Sequence, residues 1–323
     1  MSTRLIIDCD PGHDDAMAIL LAARELNLVG ITTVFGNSSL ENTTRNALAI
    51  CTLAKLDVPV AMGMGEALVA RRASAADIHG KSGLDGATLP EPDREPVAQH
   101  AVQFIIDAAR AAPGQLVLAP IGPLTNIAVA LKTEPRLAGW LKCITLMGGS
   151  TTIGNISSHA EFNIYCDPEA AAVVFASGVP IMMAGLNVTR QAGIGDAHIE
   201  RLRQSGARVS TIFADLLGFY LKRSQEIFRL QTASMHDPCA ILPLLRPDLI
   251  SYQSCHVHVE LASRQLRGMT ACDLRNVDIA KLVSVRQPEP ANAQVAIAID
   301  GAAAVDLVID SILSYDDCGR SGS

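Results

Sequence analysis

Three observations in the amino-acid sequence predict an α/β fold with a mostly parallel central sheet flanked by helices. Short β-prone apolar runs alternate with longer segments of helical periodicity from Leu5 to Ala184, the rhythm of successive βαβ units. The runs end repeatedly in Gly, Pro, Asn or Asp, as at Pro11-Gly12, Gly36-Asn37 and Gly148-Gly149, where strands hand over to loops and helices. The 323 residues are 49% hydrophobic and 18% charged, with a mean hydropathy of +0.26, which suits a sheet covered on both faces.

Leu5–Ile7 opens the first strand, which empties into Asp8-Cys9-Asp10-Pro11-Gly12-His13-Asp14-Asp15, and Ala16–Ala22 is helical. Leu28–Val34 reads as a strand ending at Phe35-Gly36-Asn37, Glu41–Ala54 as a helix and Val58–Met62 as a short strand. Residues 63–96 break this rhythm with Gly, Pro and charge; a connection of that length is usually functional or disordered, and a pocket-edge loop is expected. Its glycines lack the spacing of a phosphate-binding loop. Val97–Ala112 is a helix stopped by Pro113-Gly114, Gln115–Ala119 a strand, and Leu124–Lys132 a helix. Leu141–Met147 and Val179–Ala184 are strands on either side of the helix Pro168–Ser177. Beyond Ala197 come helices at Ile199–Gln204 and about Ala207 to Leu230, strands at Cys255–Leu261, Ala280–Val285 and Gln294–Ile299, and a closing helix Ala302–Leu313. The tail 314–323 is expected to fray. No repeat or linker divides the chain, so residues 1–323 are expected to form a single domain.

The net charge of −7 and pI near 5.6 argue against a sequence-independent nucleic-acid binder, which needs a basic footprint. No apolar run approaches the ~18 residues of a membrane span, and Met1–Arg4 leads into the first strand without the sections of a secretory signal. A cytoplasmic protein with a small-molecule ligand is expected. None of the eight cysteines forms a C-x-x-C pair, so they read as reduced, mostly buried thiols rather than zinc ligands; Cys9 is expected to pack behind the acids. His256 and His258 alternate with valines, as on an exposed or edge strand face.

Chemistry concentrates where the first strand meets the first helix. Four acids fall within eight positions there, at the sheet edge where ligands bind. Two carboxylates about 4 Å apart repel by roughly 4 kcal/mol at an effective dielectric near 20, and a hard divalent cation neutralises several at once. Helix-dipole preference alone accounts for Asp14 and Asp15 but leaves Asp8 and Asp10 unexplained. Three more segments combine site-loop placement with oxygen-bearing groups: Ile121 to Asn126, Met147-Gly148-Gly149 through Asn155, Glu161, Phe162 and Asn163, and Met235-His236-Asp237-Pro238. In an extended segment Glu161 and Asn163 would point to one side. Caps and local hydrogen bonds account for Asn155, Glu161 and Asn163 as readily, and Asp237 before Pro238 also fits a helix N-cap.

Taken in order, Asp8-x-Asp10-Pro11-Gly12-x-Asp14-Asp15, Gly36-Asn37, His79-Gly80 to Gly83-Leu84, Gly122-Pro123-Leu124-Thr125-Asn126, Met147-Gly148-Gly149, Glu161-Phe162-Asn163 and His236-Asp237-Pro238 closely resemble the inosine–uridine preferring nucleoside hydrolases over nearly the whole chain. The resemblance implies the open Rossmann-like architecture of that family, with a helical region near the pocket, and hydrolysis of ribonucleosides to ribose and free base. It implies one Ca²⁺ per subunit, held by Asp10, Asp15 and Asp237 and by the Ile121 carbonyl. Asp14 and Asn163 would then bind ribose hydroxyls, as would the metal ligand Asp237. Asn155 and Glu161 would face the 5′-hydroxyl, Asn37 would support the cluster and Met147 would line the sugar pocket. Asp10 would also be the general base, and Asp8 would support the loop behind the metal. His236 is the candidate donor to the leaving base, and His79 would contact the base or shield the pocket. Phe219, Tyr220, Ser224 and Phe228 on the long helix are either base contacts or core. A homodimer or homotetramer is implied, with no nucleic-acid or membrane partner.

The positive charge that develops on the ribosyl ring calls for fixed negative charge around it, which the acid cluster and Glu161 can provide. Two other readings compete. Mg²⁺-dependent phosphohydrolases of the haloacid-dehalogenase type also open with an apolar strand and Asp-x-Asp, but Pro-Gly-x-Asp-Asp departs from their hydroxyl-bearing continuation. A non-catalytic nucleoside- or ribose-binding protein would have no need to retain Asp10, Asp14 and His236 together.

Overall fold

The computed structural model describes residues 3–69, 75–276 and 287–317. Twelve strands occur among them: β1 Arg4–Cys9, β2 Asn27–Thr33, β3 Val60–Met62, β4 Leu116–Pro120, β5 Leu141–Met147, β6 Ile181–Ala184, β7 Gly193–Ile194, β8 Ala233–Ser234, β9 Ile250–Cys255, β10 Val257–Val259, β11 Thr270–Cys272 and β12 Ala293–Ile299. Eight form one sheet in the order β3-β2-β1-β4-β5-β6-β12-β9. Its strands run parallel except β9, which is antiparallel to β12. From β1 the chain winds outward through β2 and β3, then returns to place β4 on the other side of β1. That reversal opens a crevice beyond the carboxyl ends of β1 and β4.

The alternation of β1 explains why the sheet is covered twice. Leu5, Ile7 and Cys9 point into one apolar core and Ile6 into the other, as a period of two requires. Cys9 is fully buried behind the acids, and its thiol donates to the Thr32 carbonyl. The helix His13–Glu25 and the closing helix Gly301–Asp317 lie over the first core together with the 21-residue helix Arg208–Phe228, which buries Phe213, Leu217 and Leu221.

Several elements differ from the sequence reading. A helical turn, Ala76–His79, interrupts the 63–96 segment. The strand expected over Cys255–Leu261 is split at His256 into the end of β9 and β10. β9 itself was not anticipated, because its Ile-Ser-Tyr-Gln-Ser-Cys run is half polar, as an edge strand can be. His258 is exposed on β10, and His256 bonds the Pro290 carbonyl and faces Glu289, away from the crevice. The closing helix continues to Asp317, into the stretch expected to fray. The strand expected at Ala280–Val285 and the last residues of the tail lie outside the described residues.

Candidate active site

The site is built from the carboxyl end of β1 outward. Asp8 still belongs to the strand and is fully buried. Its Oδ1 accepts from the Thr32 hydroxyl on β2 and from Asn126 Nδ2 at the start of the helix Thr125–Thr133. Burial pushes this carboxyl up to about 7 despite those two donors. Asp8 therefore joins neighbouring segments beneath the pocket.

Asp10 sits at the crevice. The Asn37 backbone N–H donates to its Oδ2 at 2.7 Å, and Asn37 Nδ2 reaches the Asp10 carbonyl at 3.0 Å and Asp15 Oδ2 at 3.2 Å. A Cβ at Gly36 would collide with Asp10 Oδ2, and one at Gly122 with Oδ1. Two glycines thus make the space that this carboxylate fills, and Gly36, at φ +156°, also needs the backbone freedom of glycine. Asp10 Oδ1 is buried without a hydrogen-bond partner.

Asp15 turns back over the helix N-terminus, its Oδ2 accepting from Gly12 N–H at 2.9 Å and its Oδ1 from Asp10 N–H at 3.2 Å. The 3-10 turn Asp237–Ala240 brings Asp237 to the same place. Asp237 starts that turn with Pro238 behind it, but its carboxylate makes no cap; it faces Asp15 instead. Carboxylate oxygens of Asp14, Asp15 and Asp237 lie within 4.8 Å of one another. The set expected from the sequence had Asp10 in place of Asp14. Burial, then mutual repulsion, pushes Asp10 and Asp237 well above the ordinary carboxylate range and Asp14 to about 8. Burial raises Asp15 as well.

Above these acids lies a pocket of about 230 Å³ lined by Asp14, Asn37, His79, Ile121, Met147, Asn155, Glu161, Asn163, His236 and Asp237, with Tyr220 and Phe228 from the long helix. Asp10 and Asp15 are beneath its lining. No Lys or Arg faces it among the described residues. Glu161 and Asn163 do not share one side of an extended segment. Glu161 is the N-cap of the helix Phe162–Cys166 and accepts from Asn163 N–H at 2.9 Å and Ile164 N–H at 3.2 Å. Its Oε2 also takes Gly149 N–H at 2.9 Å, yet burial still pushes the carboxyl to about 7. Asn163 Nδ2 donates to the Ile121 carbonyl at 2.7 Å and the Met147 carbonyl at 3.2 Å. Asn155 Oδ1 is buried without a partner.

Histidines form one wall. His236 Nδ1 meets the Thr189 hydroxyl at 2.7 Å, and burial, then the Arg190 charge, pushes its ring down to about 3. His79 packs against His13 with Nδ1 atoms 3.0 Å apart and ring centroids 5.2 Å apart. Burial, then repulsion from His13, holds His79 well below the ordinary range. The sequence alone assigns His13 no role. Its ring also stacks on Phe219 and Tyr220, and its Nε2 bonds the Asp85 carbonyl at 2.8 Å. Its position within the acidic motif was the available signal. Of the long-helix candidates, Phe219 packs on His13, while Ser224 is buried away from the pocket lining.

The unpartnered Asp10 oxygen, the converging acids and the lack of cationic side chains fit a hard divalent cation with oxygen ligands. Together, fold and site define an α/β protein whose switch-point pocket sets a polar lining over a cluster of buried carboxyl groups. Comparison with known proteins makes the assignment specific. The model of the "Inosine-uridine preferring nucleoside hydrolase" family matches residues 5–306. The pyrimidine-specific ribonucleoside hydrolase RihB of Escherichia coli K12 is 40% identical over 299 residues, 92% of this chain and 93% of that protein. A purine-preferring ribonucleoside hydrolase from Gardnerella vaginalis superposes with a TM-score of 0.89 at 32% identity, over 98% of this chain and 99% of that one. The plant nucleoside hydrolase PpNRh1 does so with a TM-score of 0.89 at 30% identity, over 97% and 100%. The chain belongs to the inosine–uridine preferring nucleoside hydrolases. It is an enzyme that hydrolyses the N-glycosidic bond of ribonucleosides.

Proposed function

We propose that the enzyme is Ca²⁺-dependent, with Asp10, Asp15, Asp237 and the Ile121 carbonyl holding one ion per subunit and Asp10 serving as general base. The observation that carries this reading is the buried Asp10 carboxylate, whose Oδ1 has no partner while Asn37 fixes its Oδ2. A bound Ca²⁺ would neutralise the acids and make a neighbouring water more acidic.

The residues divide the remaining work. Asp14, Asn163 and Asp237 bind ribose hydroxyls, Asn155 and Glu161 face the 5′-hydroxyl, and Met147 lines the sugar pocket. As the C–N bond breaks, its electron pair leaves with the base and positive charge grows on the ribosyl ring. The surrounding carboxylates stabilise that charge. Water forms the new C–O bond and gives its proton to the Asp10 carboxylate. His236 is neutral near pH 7, with its ring pushed down to about 3; in the tautomer whose Nδ1 accepts from the Thr189 hydroxyl, Nε2–H is the hydrogen-bond donor offered to the departing base. His79 closes the base side against solvent.

Pyrimidine ribonucleosides are the preferred class in this reading, because relatives named pyrimidine-specific share 40% identity and the purine-preferring one 32%. We place the enzyme in nucleoside salvage, as a single-domain homodimer or homotetramer. A cytoplasmic location fits the free thiols among the described cysteines; no helix among the described residues is long and apolar enough to cross a membrane.

Release of reducing sugar from uridine, cytidine, inosine and guanosine tests the reading. Chelation should abolish it, and Ca²⁺ should restore it better than Mg²⁺. Full turnover in chelator would overturn the metal assignment, and near-normal kcat in Asp10→Ala would remove Asp10 as the base.

A further inference from the structure

The short helix Leu186–Thr189, directly after β6, ties together two walls of the pocket. At its start, Leu186 N–H donates to the Gly149 carbonyl at 2.9 Å, and Asn187 Oδ1 accepts from Thr151 N–H at 3.4 Å. At its end, the Thr189 hydroxyl holds His236 Nδ1. The next residue, Arg190, sends Nη2 to the Gly154 carbonyl at 3.0 Å. Gly154 precedes Asn155, whose buried Oδ1 lacks a partner at the pocket wall.

Apart from Arg190 and the antiparallel bridge of Ala160 to Met269, the 154–160 loop is held by hydrogen bonds of its own. Gly154 N–H donates to the Ser158 carbonyl, and Asn155 and Ile156 N–H to the Ala160 carbonyl. Such a turn keeps its internal shape while its placement depends on outside anchors. Arg190 is half-buried, and desolvation, with no opposing carboxylate among the described residues, pulls its pKa down. A guanidinium in that setting gains from a carbonyl acceptor of fixed position.

We propose that Arg190 is a positioning residue: through the Gly154 carbonyl it sets where Asn155 meets the substrate, coordinating that wall with the His236 wall. This rests on the assignment of Asn155 to substrate binding. The Gly154 carbonyl belongs to the peptide that joins Gly154 to Asn155, so the effect of losing Arg190 on KM is expected to pass through Asn155, whereas its charge on His236 would show in kcat.

A double-mutant cycle tests it in the full-length enzyme loaded with Ca²⁺. Arg190→Gln is expected to raise KM for uridine by about tenfold, the scale of a lost charged hydrogen bond, with a smaller change in kcat. Asn155→Ala should do likewise, and the double variant should be no worse than the poorer single one. Arg190→Lys, which keeps a cation able to reach a carbonyl, should recover part of the KM. Additive losses, or a wild-type KM in Arg190→Gln, would overturn the inference. An effect confined to melting temperature or active fraction, with KM unchanged, would also overturn it. Wild-type kinetics in Asn155→Ala would instead remove Asn155 from the binding site, and the inference with it.

Discussion

Asn126 Nδ2 donates to Asp8 Oδ1 at 2.7 Å, joining two residues 118 positions apart at the foot of the pocket. The same amide donates to the Thr33 carbonyl at 3.0 Å, and Asn126 Oδ1 accepts from Met64 N–H at 2.8 Å. One buried carboxamide therefore locks the ends of β1, β2 and β3 to the helix that follows β4. The acids rest on that joint.

Asn126→Ala should cost about 1–3 kcal/mol, because it leaves buried donors and acceptors without partners. Equilibrium unfolding in urea measures this. An unchanged midpoint would show that the joint carries no stability.

Alanine at Gly122 places a methyl against Asp10 Oδ1. The carboxylate must move, and misplacing a catalytic group by an ångström can cost about 100-fold in rate. Gly122→Ala should therefore lose kcat on that scale while its far-ultraviolet circular dichroism stays native. Wild-type kcat would mean that the Asp10 position is not critical.

Glu161→Gln replaces one acceptor oxygen by an amide nitrogen, although three backbone N–H groups converge on that carboxylate. One of them must lose its partner, or the side chain must turn. A loss of about 1–3 kcal/mol is expected, with a raised KM as Asn163 shifts. Thermal melts and steady-state kinetics would show both.

Asp14 titrates at about 8 rather than 3.8, and Glu161 at about 7 rather than 4.5, mainly through burial. Between those values the metal-free native state keeps protons that the unfolded chain has released. Its stability should fall as pH rises from about 4 to about 8. A cation competes with those protons, so the gain in melting temperature on adding Ca²⁺ should grow with pH. Melts at pH 5 and pH 8, in chelator and in Ca²⁺, test the sign. A larger Ca²⁺ shift at pH 5 would contradict it.

Much of the fold was legible because its signals are local. Strand runs, helical periods and Gly/Pro punctuation fix βαβ order without reference to the rest of the chain, and Asp8 to Asp15 mark the strand-to-helix edge by themselves. β9 is not legible in the sequence because a half-polar edge strand lacks a strong apolar signature. The extended reading of Glu161 and Asn163 failed because a cap is recognised only once its helix is known. The sequence by itself determined the α/β class, the acidic motif and the family. Only the tertiary structure decided which carboxylates converge, that Asp10 is wrapped by Gly36 and Gly122, and that His13 packs behind His79 at the pocket wall. Those relationships depend on side-chain direction and desolvation, which arise when distant segments pack together.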